Sequence, residues 1–390
     1  MEKNLHPKMI DITFLIGRFL EKNKWTGIDR VALAYIKRYR FQSCALIRYL
    51  GRWMFFNEKH SQILFDILFS DYNHRLKMKI TWIVTKAFWT FQRKRNEGIL
   101  LYISHGGLDN PSFIKKIKKY HLSAFYFLHD LIPIDYPEYN RIDENKRHQK
   151  RIETMLSTGC ALILNSEETR LSLTHYANEK KLSLKPLIVS PLGVSAKIKS
   201  SEKRPISQPY FVILGTIEPR KNHLLILNVW RKFVEEKLSI IPKIVIIGRR
   251  GWECEQVLDI LDRCSVMKEH IIELNDCDDA GVSNWLHHSQ ALLFPTFAEG
   301  YGFPLVEALS VGVPVIVSNL RVFREIAGDI PEYVDPIDGI GWSHMIKHYI
   351  NNESIERQGQ LNRLQQYRPW TWQDHFNIVD NFIAEISRYE

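Results

Sequence analysis

Short apolar runs alternate with amphipathic stretches along the first half of the chain, as in parallel strands joined by crossover helices. The run at residues 10–16 predicts a strand, followed by a loop that contains Trp25, Thr26 and Gly27 and by a helix at residues 29–39. Four later runs end in polar residues, glycine or proline and predict strands at residues 98–104, 123–128, 161–165 and 187–189. Five strands of this kind predict a Rossmann-like sheet.

The second half begins after a polar stretch, SAKIKSSEKRPISQP at residues 195–209, which has the composition of a linker. A helix is predicted at residues 224–236, and strands are predicted at residues 210–214, 243–247, 271–274, 291–294 and 313–317. Residues 370–389 predict a terminal amphipathic helix whose apolar face contains Phe376, Val379, Phe382, Ile383 and Ile386. The predicted units are residues 1–200, 201–369 and 370–390.

Length and composition agree with two globular domains, because 390 residues exceed what one core usually serves. Apolar residues make up 45% of the chain and charged residues 25%, which indicates a soluble protein. No stretch approaches the ~20 uncharged apolar residues of a membrane-spanning helix. The apolar run near the N-terminus is interrupted by Asp11 and Arg18 and has no small-residue cleavage site. We therefore expect a cytoplasmic location.

The cysteines are scattered and include no C-x-x-C pair, which indicates reduced thiols. A zinc site built from Cys264, Cys277, His287 and His288 would have spacings unlike those of known zinc ligands. The sequence therefore predicts no metal site.

Positive charge is concentrated in the first half of the chain. Residues 1–200 contain 34 Lys and Arg against 18 Asp and Glu, whereas the remainder contains 19 against 26. This asymmetry predicts that the first half faces an anionic partner, such as nucleic acid, a phospholipid surface or a phosphorylated acceptor. A basic surface that is merely solvated is the alternative.

One segment of the first half combines this charge with aromatic residues. Residues 75–95, RLKMKITWIVTKAFWTFQRKR, hold seven Lys or Arg, four Trp or Phe and no acidic residue, and KKIKK follows at residues 115–119. Such a helix can lie in the headgroup layer of an anionic bilayer, or it can pack its aromatic side chains inside the protein. Both interpretations remain open from the sequence.

The sequence FPTFAEGYGFPLVEALSVGVPVIVS, residues 294–318, divides into a strand, a glycine-containing loop, a helix and a strand. Pro304 suits the first helical turn, where its missing N–H loses no hydrogen bond, and Gly312 suits the position after the helix end. The loop therefore presents backbone amides at a helix N-terminus, where phosphate or sugar oxygens are favoured. The amides belong to Gly300, Tyr301, Gly302 and Phe303.

Two carboxylates, Glu299 and Glu307, flank this loop. Since they would repel phosphates, we expect them to accept hydrogen bonds from hydroxyls, one from a ribose and one from a donor hexose. The alternative is a helix-capping Glu299 and a Glu307 paired with the helix dipole, with no ligand.

The turn GTIEPRKN, residues 215–222, follows the first strand of the second unit, where the ligand crevice of an open α/β sheet lies. Arg220 and Lys221 in this turn are candidates to stabilise the charge that develops on a departing nucleoside diphosphate. An exposed basic turn is the alternative.

Three segments in this order resemble the family 4 (group 1) retaining glycosyltransferases of the GT-B fold: VILGTIEPRKNHLLIL, VIIGRRGWE and FPTFAEGYGFPLVEALSVGVPVIVS. The E-x7-E motif of that family matches Glu299 and Glu307. The resemblance implies an α/β protein with two Rossmann-like domains whose parallel sheets face across a cleft. It also implies donor binding mainly by the C-terminal domain, a final helix that crosses back to the first domain, and metal-independent transfer with retention at the anomeric carbon.

The resemblance also implies roles for single residues. Glu299 would contact the donor sugar, the amides of residues 300–303 its hydroxyls and phosphate, and Glu307 the ribose. Lys221 matches the diphosphate-binding lysine of the family. Many relatives carry arginine directly after the glycine of the first strand, whereas Thr216 follows Gly215 here, so Arg220 is the candidate for that charge. Residues 248–252, GRRGW, resemble a cleft-lining segment near the nucleotide.

In the first half, Thr26 and Gly27 resemble the glycine loop that lets the donor phosphate and the acceptor approach the backbone. His129, in FYFLHDLIPIDYPE, resembles the strand-end histidine near the reacting sugar, and it would either hold that sugar or act as a base. Residues 104–109, SHGGLD, are a further candidate for the acceptor pocket. The family mechanism uses no protein nucleophile, because the leaving phosphate helps to deprotonate the acceptor.

The resemblance thus predicts a hexosyltransferase that needs no cofactor besides its co-substrate, a nucleotide-diphosphate sugar. Relatives with a similar turn often build bacterial surface polysaccharides, such as O-antigen, capsule or exopolysaccharide, which favours a GDP-linked donor such as GDP-mannose. We expect a saccharide acceptor, free or lipid-linked, and a location in the cytoplasm, with or without peripheral contact with the inner face of the cell membrane.

Three other classes of protein would share part of this sequence pattern. A nicotinamide dehydrogenase requires G-x-G-x-x-G after a first strand, and neither half has it. A basic nucleic-acid-binding protein would explain the charge of the first half, but the sequence contains no recognised nucleic-acid motif and the E-x7-E loop would be unexplained. A catalytically inactive GT-B scaffold would keep every motif and remains an alternative.

Overall fold

The computed structural model describes residues 7–22, 24–90, 97–194 and 203–388. The first unit contains a seven-stranded sheet in the order β3-β2-β1-β4-β5-β6-β7, in which only β2 and β3 pair antiparallel. Its strands are β1 Lys8–Asp11, β2 Ser43–Tyr49, β3 Arg52–Phe55, β4 Gly98–Tyr102, β5 Leu122–Leu128, β6 Gly159–Leu164 and β7 Leu187–Val189. Its helices are α1 Thr13–Leu20, α2 Gly27–Tyr39, α3 Glu58–Leu68, α4 His74–Trp89, α5 Ser112–Lys119, α6 Ile132–Asp135, α7 Glu144–Thr158 and α8 Glu167–Glu179.

The second unit contains a six-stranded parallel sheet in the order β10-β9-β8-β11-β12-β13. Its strands are β8 Tyr210–Leu214, β9 Lys243–Ile247, β10 Ile271–Leu274, β11 Leu292–Phe294, β12 Val315–Ser318 and β13 Glu332–Val334. The helices from here to the end of the described chain are α9 His223–Glu235, α10 Glu255–Arg263, α11 Ser265–Lys268, α12 Asp279–His287, α13 Phe303–Ser310, α14 Arg321–Ala327, α15 Gly339–Ile350, α16 Ile355–Leu364 and α17 Trp372–Ile386.

Each sheet is covered on both faces by helices, and the chain has two core clusters per unit. Strands buried on both faces consist of nearly continuous apolar runs, and this pattern predicted β8 and β9 at the residues where they occur. The half-buried edge strand β10 was also predicted at its observed bounds. The predicted α/β architecture with two parallel-dominated sheets is confirmed.

The prediction of a strand at residues 10–16 is wrong beyond its first two residues. Strand β1 ends at Asp11, and Asp11 Oδ1 accepts a hydrogen bond from the Thr13 amide at 2.9 Å as helix α1 begins. Helix α1 then buries Leu15, Ile16 and Phe19 on one face. An apolar run of this length fits a buried helix as well as a strand, so its period does not discriminate between them.

Three strands were missed in the sequence. Strands β2 and β3 form a hairpin at one edge of the first sheet, and β13 forms an edge of the second. Strand β13 has only three residues, and β2 follows helix α2 after a single short turn. Gly51 lies in the turn between β2 and β3, and Pro331 and Pro336 flank β13, but turn residues alone did not identify these segments as strands.

The final helix, α17, packs against the first unit. Its buried residues include Phe376, Val379, Phe382 and Ile383, which belong to the same core cluster as β1, β4 and α2. His375 Nε2 also lies 3.0 Å from the hydroxyl of Tyr35 on α2. The predicted linker falls largely on residues 195–202, outside the described residues, so the domain boundary at residue 200 stays a prediction.

Candidate active site

A group of charged side chains lies where strands β8 and β11 end side by side in the second sheet. Lys221 and Arg220 belong to the turn after β8, and Glu299 belongs to the loop after β11. Glu299 Oε1 accepts a hydrogen bond from Lys221 Nζ, pairs with Arg220 Nη1 at 2.6 Å and accepts a hydrogen bond from Thr296 Oγ1 at 3.2 Å. The fold thus brings together three predicted residues from two separate loops.

The charges in this group compensate one another within a buried environment. Burial favours the neutral form of Glu299, but the positive charges of Arg220 and Lys221 outweigh it and hold the pKa of this carboxyl below its usual value. Burial, together with Arg220, lowers the pKa of Lys221. Arg220 Nη2 also pairs with Glu218 at 2.6 Å.

The loop at residues 300–303 leads into helix α13, as the sequence predicted. Gly302 is the N-cap residue with φ of 104°, a left-handed conformation that favours glycine, and Pro304 lies in the first turn. The side chain of Tyr301 leaves the loop and joins the core of the first unit, where its hydroxyl donates to the Leu192 carbonyl at 2.7 Å. The loop that was predicted to bind the donor therefore also connects the two units.

Glu307, on helix α13, forms an ion pair with Arg30 on helix α2 of the first unit. Burial raises the pKa of Glu307, whereas Arg30 acts in the opposite direction. The guanidinium of Arg30 also lies 5.2 Å from the ring centroid of Phe303, and a Cβ on Gly27 would be 3.2 Å from that ring. Glu307, the carboxylate predicted to bind the ribose, is thus paired with Arg30, which the sequence did not indicate as a site residue.

His129 lies at the end of strand β5 and faces the same region from the first unit. Its Nε2 is 2.7 Å from the Ile103 carbonyl, which requires a proton on Nε2 and leaves Nδ1 as an acceptor. Burial lowers the pKa of His129 to about 4, so the imidazole is neutral at pH 7. The ring centroid of His105 lies 5.1 Å from that of His129 and 5.1 Å from that of His148. His148 was not identified from the sequence.

The backbones of the two units meet at Gly300. A Cβ at this position would overlap the His129 carbonyl and lie 2.8 Å from Asp130 Cβ. Ser166 Oγ donates to the Gly300 carbonyl at 2.8 Å, and Asn165 Nδ2 donates to the His129 carbonyl at 2.8 Å. The donor-side loop and the predicted histidine are therefore in direct contact.

The remaining predicted residues line the turn after β8. Gly215 lies next to Lys221, with a Cβ position 3.6 Å from Lys221 Cε, and Thr216 packs against Gly251 of the GRRGW loop. Arg250 of that loop is directed to Asp262 and Glu273, to which it makes ion pairs of 2.6 Å and 2.8 Å.

Two aromatic contacts cross the boundary between the units, one from the GRRGW loop and one from the loop after β11. Trp252 lies under Arg141 of the first unit, with a distance of 5.1 Å from the guanidinium carbon to the ring. Tyr139 of the first unit stacks on Phe297 of the second at 5.2 Å. The first contact places the GRRGW loop at the boundary between the units, and no sequence signal distinguished Arg141 or Tyr139.

Comparisons with known proteins bear on this geometry. Residues 194–354 match the family model described as Glycosyl transferases group 1. The chain is 25% identical over 253 residues to O-antigen chain mannosyltransferase B of Escherichia coli, covering 63% of this chain and 66% of that protein. It is 26% identical over 266 residues to O-antigen chain mannosyltransferase RfbU of Salmonella typhimurium, covering 66% and 68%.

A further relative, the serotype-specific mannosyltransferase WbdA of Escherichia coli, is 31% identical over 119 residues, which cover 14% of that protein. The matched regions span 66% of mannosyltransferase B and 14% of WbdA, which is less than two thirds of either protein. Among solved structures, that of Anabaena Alr3699/HepE in complex with UDP and glucose superposes with a TM-score of 0.68 at 12% identity, covering 97% of this chain and 100% of that one. The fold of the chain is GT-B.

Proposed function

Since residues 194–354 form a group 1 glycosyl transferase domain, we propose that the whole chain is a retaining, metal-independent glycosyltransferase. It transfers a hexose from a nucleotide-diphosphate sugar to a saccharide acceptor. The observation that carries this proposal is the buried Glu299–Lys221–Arg220 group, which lies beside a helix N-terminus and near His129 of the other unit. GDP-mannose is the proposed donor and bacterial surface polysaccharide the proposed product, with support from the mannosyltransferase relatives.

In this proposal, donor binding exchanges internal ion pairs for contacts with the ligand. The diphosphate takes the place of Glu299 at Lys221 and Arg220, and Glu299 then accepts a hydrogen bond from a hydroxyl of the donor sugar. The ribose replaces Arg30 as the partner of Glu307. The diphosphate keeps Lys221 and Arg220 paired with negative charge, whereas Glu299 and Glu307 exchange an ion pair for hydrogen bonds from hydroxyls.

The proposed transfer needs no nucleophile from the protein. The bond between the anomeric carbon and the diphosphate oxygen breaks, and a bond forms from that carbon to the acceptor oxygen on the same face. The acceptor proton passes to the leaving phosphate. Lys221 and Arg220 stabilise the charge that builds up on the diphosphate, and neutral His129 positions a sugar hydroxyl.

A screen of nucleotide sugars by thermal unfolding tests this proposal. A donor present at 100 times its Kd should stabilise the folded protein by roughly 2.7 kcal/mol, and we expect GDP-mannose to give a larger shift in Tm than UDP-glucose. Protein that binds GDP-mannose should then release GDP when a suitable acceptor is added. The absence of a shift with any nucleotide sugar would contradict the proposal, and binding without transfer would indicate the scaffold.

We also propose that helix α4 contacts the anionic inner face of the cell membrane. Met78, Trp82 and Trp89 are 65%, 58% and 76% exposed and share one face of the helix, whereas Ile80 and Ile83 on the opposite face are buried. Helix α4 contains four Lys or Arg and no acidic residue. Phe91 and the basic residues 93–95 of the predicted segment lie outside the described residues. No helix in the described ranges meets the length and hydropathy needed to span a bilayer.

A double variant, Trp82→Ala with Trp89→Ala, should lose at least about tenfold in binding to vesicles that contain phosphatidylglycerol. The reason is that burying one large apolar side chain contributes ~1.5–3 kcal/mol. Cosedimentation with vesicles of phosphatidylcholine, with and without phosphatidylglycerol, measures this effect. Trp370→Ala, which removes a 41% exposed tryptophan elsewhere on the protein, is the control. Equal sedimentation of the double variant and this control would contradict membrane contact through α4.

A further inference from the structure

A small cavity lies in the first unit, outside the group of charged residues at the donor side. It has a volume of about 120 Å³ and lies between the β2–β3 turn and the loop that precedes helix α5. This volume is well above the ~10–15 Å³ that a single water needs by the same kind of measure. Its lining contains two arginines, Arg48 and Arg52, the polar residues Asn110 and Ser112, and no acidic residue.

Arg48 is anchored firmly at the inner end of this cavity. Its Nε pairs with Asp11 at 2.6 Å, and its Nη2 donates to the Tyr102 hydroxyl at 2.6 Å and to the Gly106 carbonyl at 2.7 Å. These bonds use Nε and Nη2 only, and Nη1 lies next to Gly107, which lines the cavity. Asp11 cancels one charge in the interior, so a further anion at the cavity would be attracted mainly by Arg52 and by the Nη1 side of Arg48.

Arg52 lies at the outer end of the cavity and connects it to helix α4. Its Nη1 donates to the Phe88 carbonyl at 2.6 Å, and its guanidinium lies 4.4 Å from the Phe88 ring centroid. Phe88 precedes Trp89, the most exposed aromatic residue of the proposed membrane-facing side. The cavity therefore opens beside the end of the helix that is proposed to meet lipid headgroups.

The polar residues complete the donor set. Asn110 Oδ1 accepts a hydrogen bond from the Ser112 amide at 2.9 Å, which leaves the Asn110 Nδ2 group to donate elsewhere. Guanidinium, amide and hydroxyl donors without a carboxylate among them suit a phosphate group. The same loop carries His105, whose ring lies 5.1 Å from that of His129. The cavity is thus separated from the proposed reaction centre by a single loop.

We infer that this cavity binds the phosphate of a lipid, either the phosphate that links an acceptor saccharide to its lipid or a phospholipid headgroup. This inference rests on the proposed function, because it assumes an acceptor that reaches the first unit at a membrane surface. Binding there would fix the distance between the lipid carrier and the cleft, and so would hold the acceptor saccharide near His129.

Pyrophosphate, titrated into the whole protein by calorimetry, is the probe. It should bind at two places, the proposed donor site and the cavity, so two variants separate them. Lys221→Met should keep the cavity site, and Arg52→Gln should keep the donor site. Combining Arg52→Gln with Lys221→Met should weaken the remaining binding by at least about tenfold relative to Lys221→Met alone, because a charge-assisted contact is lost. Arg263→Gln, at a 72% exposed arginine of the second unit, is the matched control.

The outcomes distinguish this inference from the proposed function. Lys221→Met protein that binds no pyrophosphate would overturn the cavity site and leave the donor site intact. Arg52→Gln protein that binds neither pyrophosphate nor GDP-mannose would count against the proposed function instead. Phosphatidylcholine vesicles carrying either phosphatidylglycerol or a polyprenyl pyrophosphate then identify the source, since only the correct lipid should displace pyrophosphate from the Lys221→Met protein. Displacement by neither lipid would overturn the lipid assignment.

Discussion

Replacing Lys221 by methionine should lower kcat for sugar transfer by about 10²–10³-fold, the loss expected when one group that stabilises transition-state charge is removed. Lys221 is nine-tenths buried beside Glu299 and Arg220, and methionine keeps most of its volume. The remaining Arg220 still compensates Glu299, so the variant should fold. Release of the nucleoside diphosphate from the donor measures the rate, and thermal unfolding reports on the fold.

Lys347→Met is the matched control for this variant. Lys347 pairs with Glu236 at 2.8 Å on the surface of the second unit, and both side chains are more than a third exposed. We expect this substitution to leave kcat unchanged, because an exposed ion pair contributes little. If the two methionine variants had the same kcat, the proposed role of Lys221 would be wrong.

Glu299→Gln extends the same experiment. The neutral amide leaves two buried cations with less compensation, so the variant should be destabilised as well as impaired in transfer. In the Lys221→Met background this cost should shrink, because one of the two cations is already absent. The combined loss in kcat should therefore be smaller than the product of the single losses, as for residues that act as a unit. A simple product would indicate that Glu299 and Lys221 act independently.

Gly300→Ala should lower kcat by about 10²-fold through a purely steric effect. The new methyl group would overlap the His129 carbonyl and approach Asp130 Cβ to 2.8 Å, so the two units would be forced apart. A displacement of about 1 Å between reacting groups can cost a factor of this size. Donor affinity should change much less, because Lys221 and Arg220 lie entirely within the second unit. Steady-state kinetics and the radius of gyration in solution measure the two effects.

Gly17→Ala provides the control for the added methyl group. Gly17 lies within helix α1, and nothing is within 4 Å of the Cβ that alanine would add. This substitution should preserve kcat and stabilise the helix by roughly 0.5–1 kcal/mol. If the Gly300→Ala and Gly17→Ala proteins had the same kcat, the contact between the units at Gly300 would be unimportant for transfer.

Most strands and candidate site residues of the second unit could be predicted, because the patterns that indicate them lie within short segments of the sequence. The strand, loop, helix and strand between Phe294 and Ser318 follow from two apolar runs, the glycine-containing loop, Pro304 and Gly312, and the structure has them in that order. The turn after β8 also lies where a parallel sheet must open, so Arg220 and Lys221 were found from their position alone. Their assignment to donor binding remains a prediction.

Less of the first unit was predictable, because its key contacts join distant segments. The hairpin of β2 and β3 was not predicted although Gly51 lies in its turn, and it supplies both arginines of the cavity. The basic aromatic segment allowed two interpretations, and only the structure shows which of its side chains are buried; membrane contact stays a prediction. Trp82 and Trp89 are exposed, whereas the buried face is formed by Ile80 and Ile83.

The α/β class and the positions of most strands could be predicted from the sequence alone, because hydrophobic period and turn residues are local properties. Motif spacing likewise indicated Lys221, Arg220, Glu299 and Glu307 as candidate site residues, and their roles stay predictions. The pairing of Glu299 with two cations, and that of Glu307 with Arg30 of the other unit, became visible only in the folded chain. Long-range pairs of this kind depend on how the two sheets are placed against each other. That placement depends on Gly300, Tyr301 and helix α17 together, and no single segment of the chain encodes it.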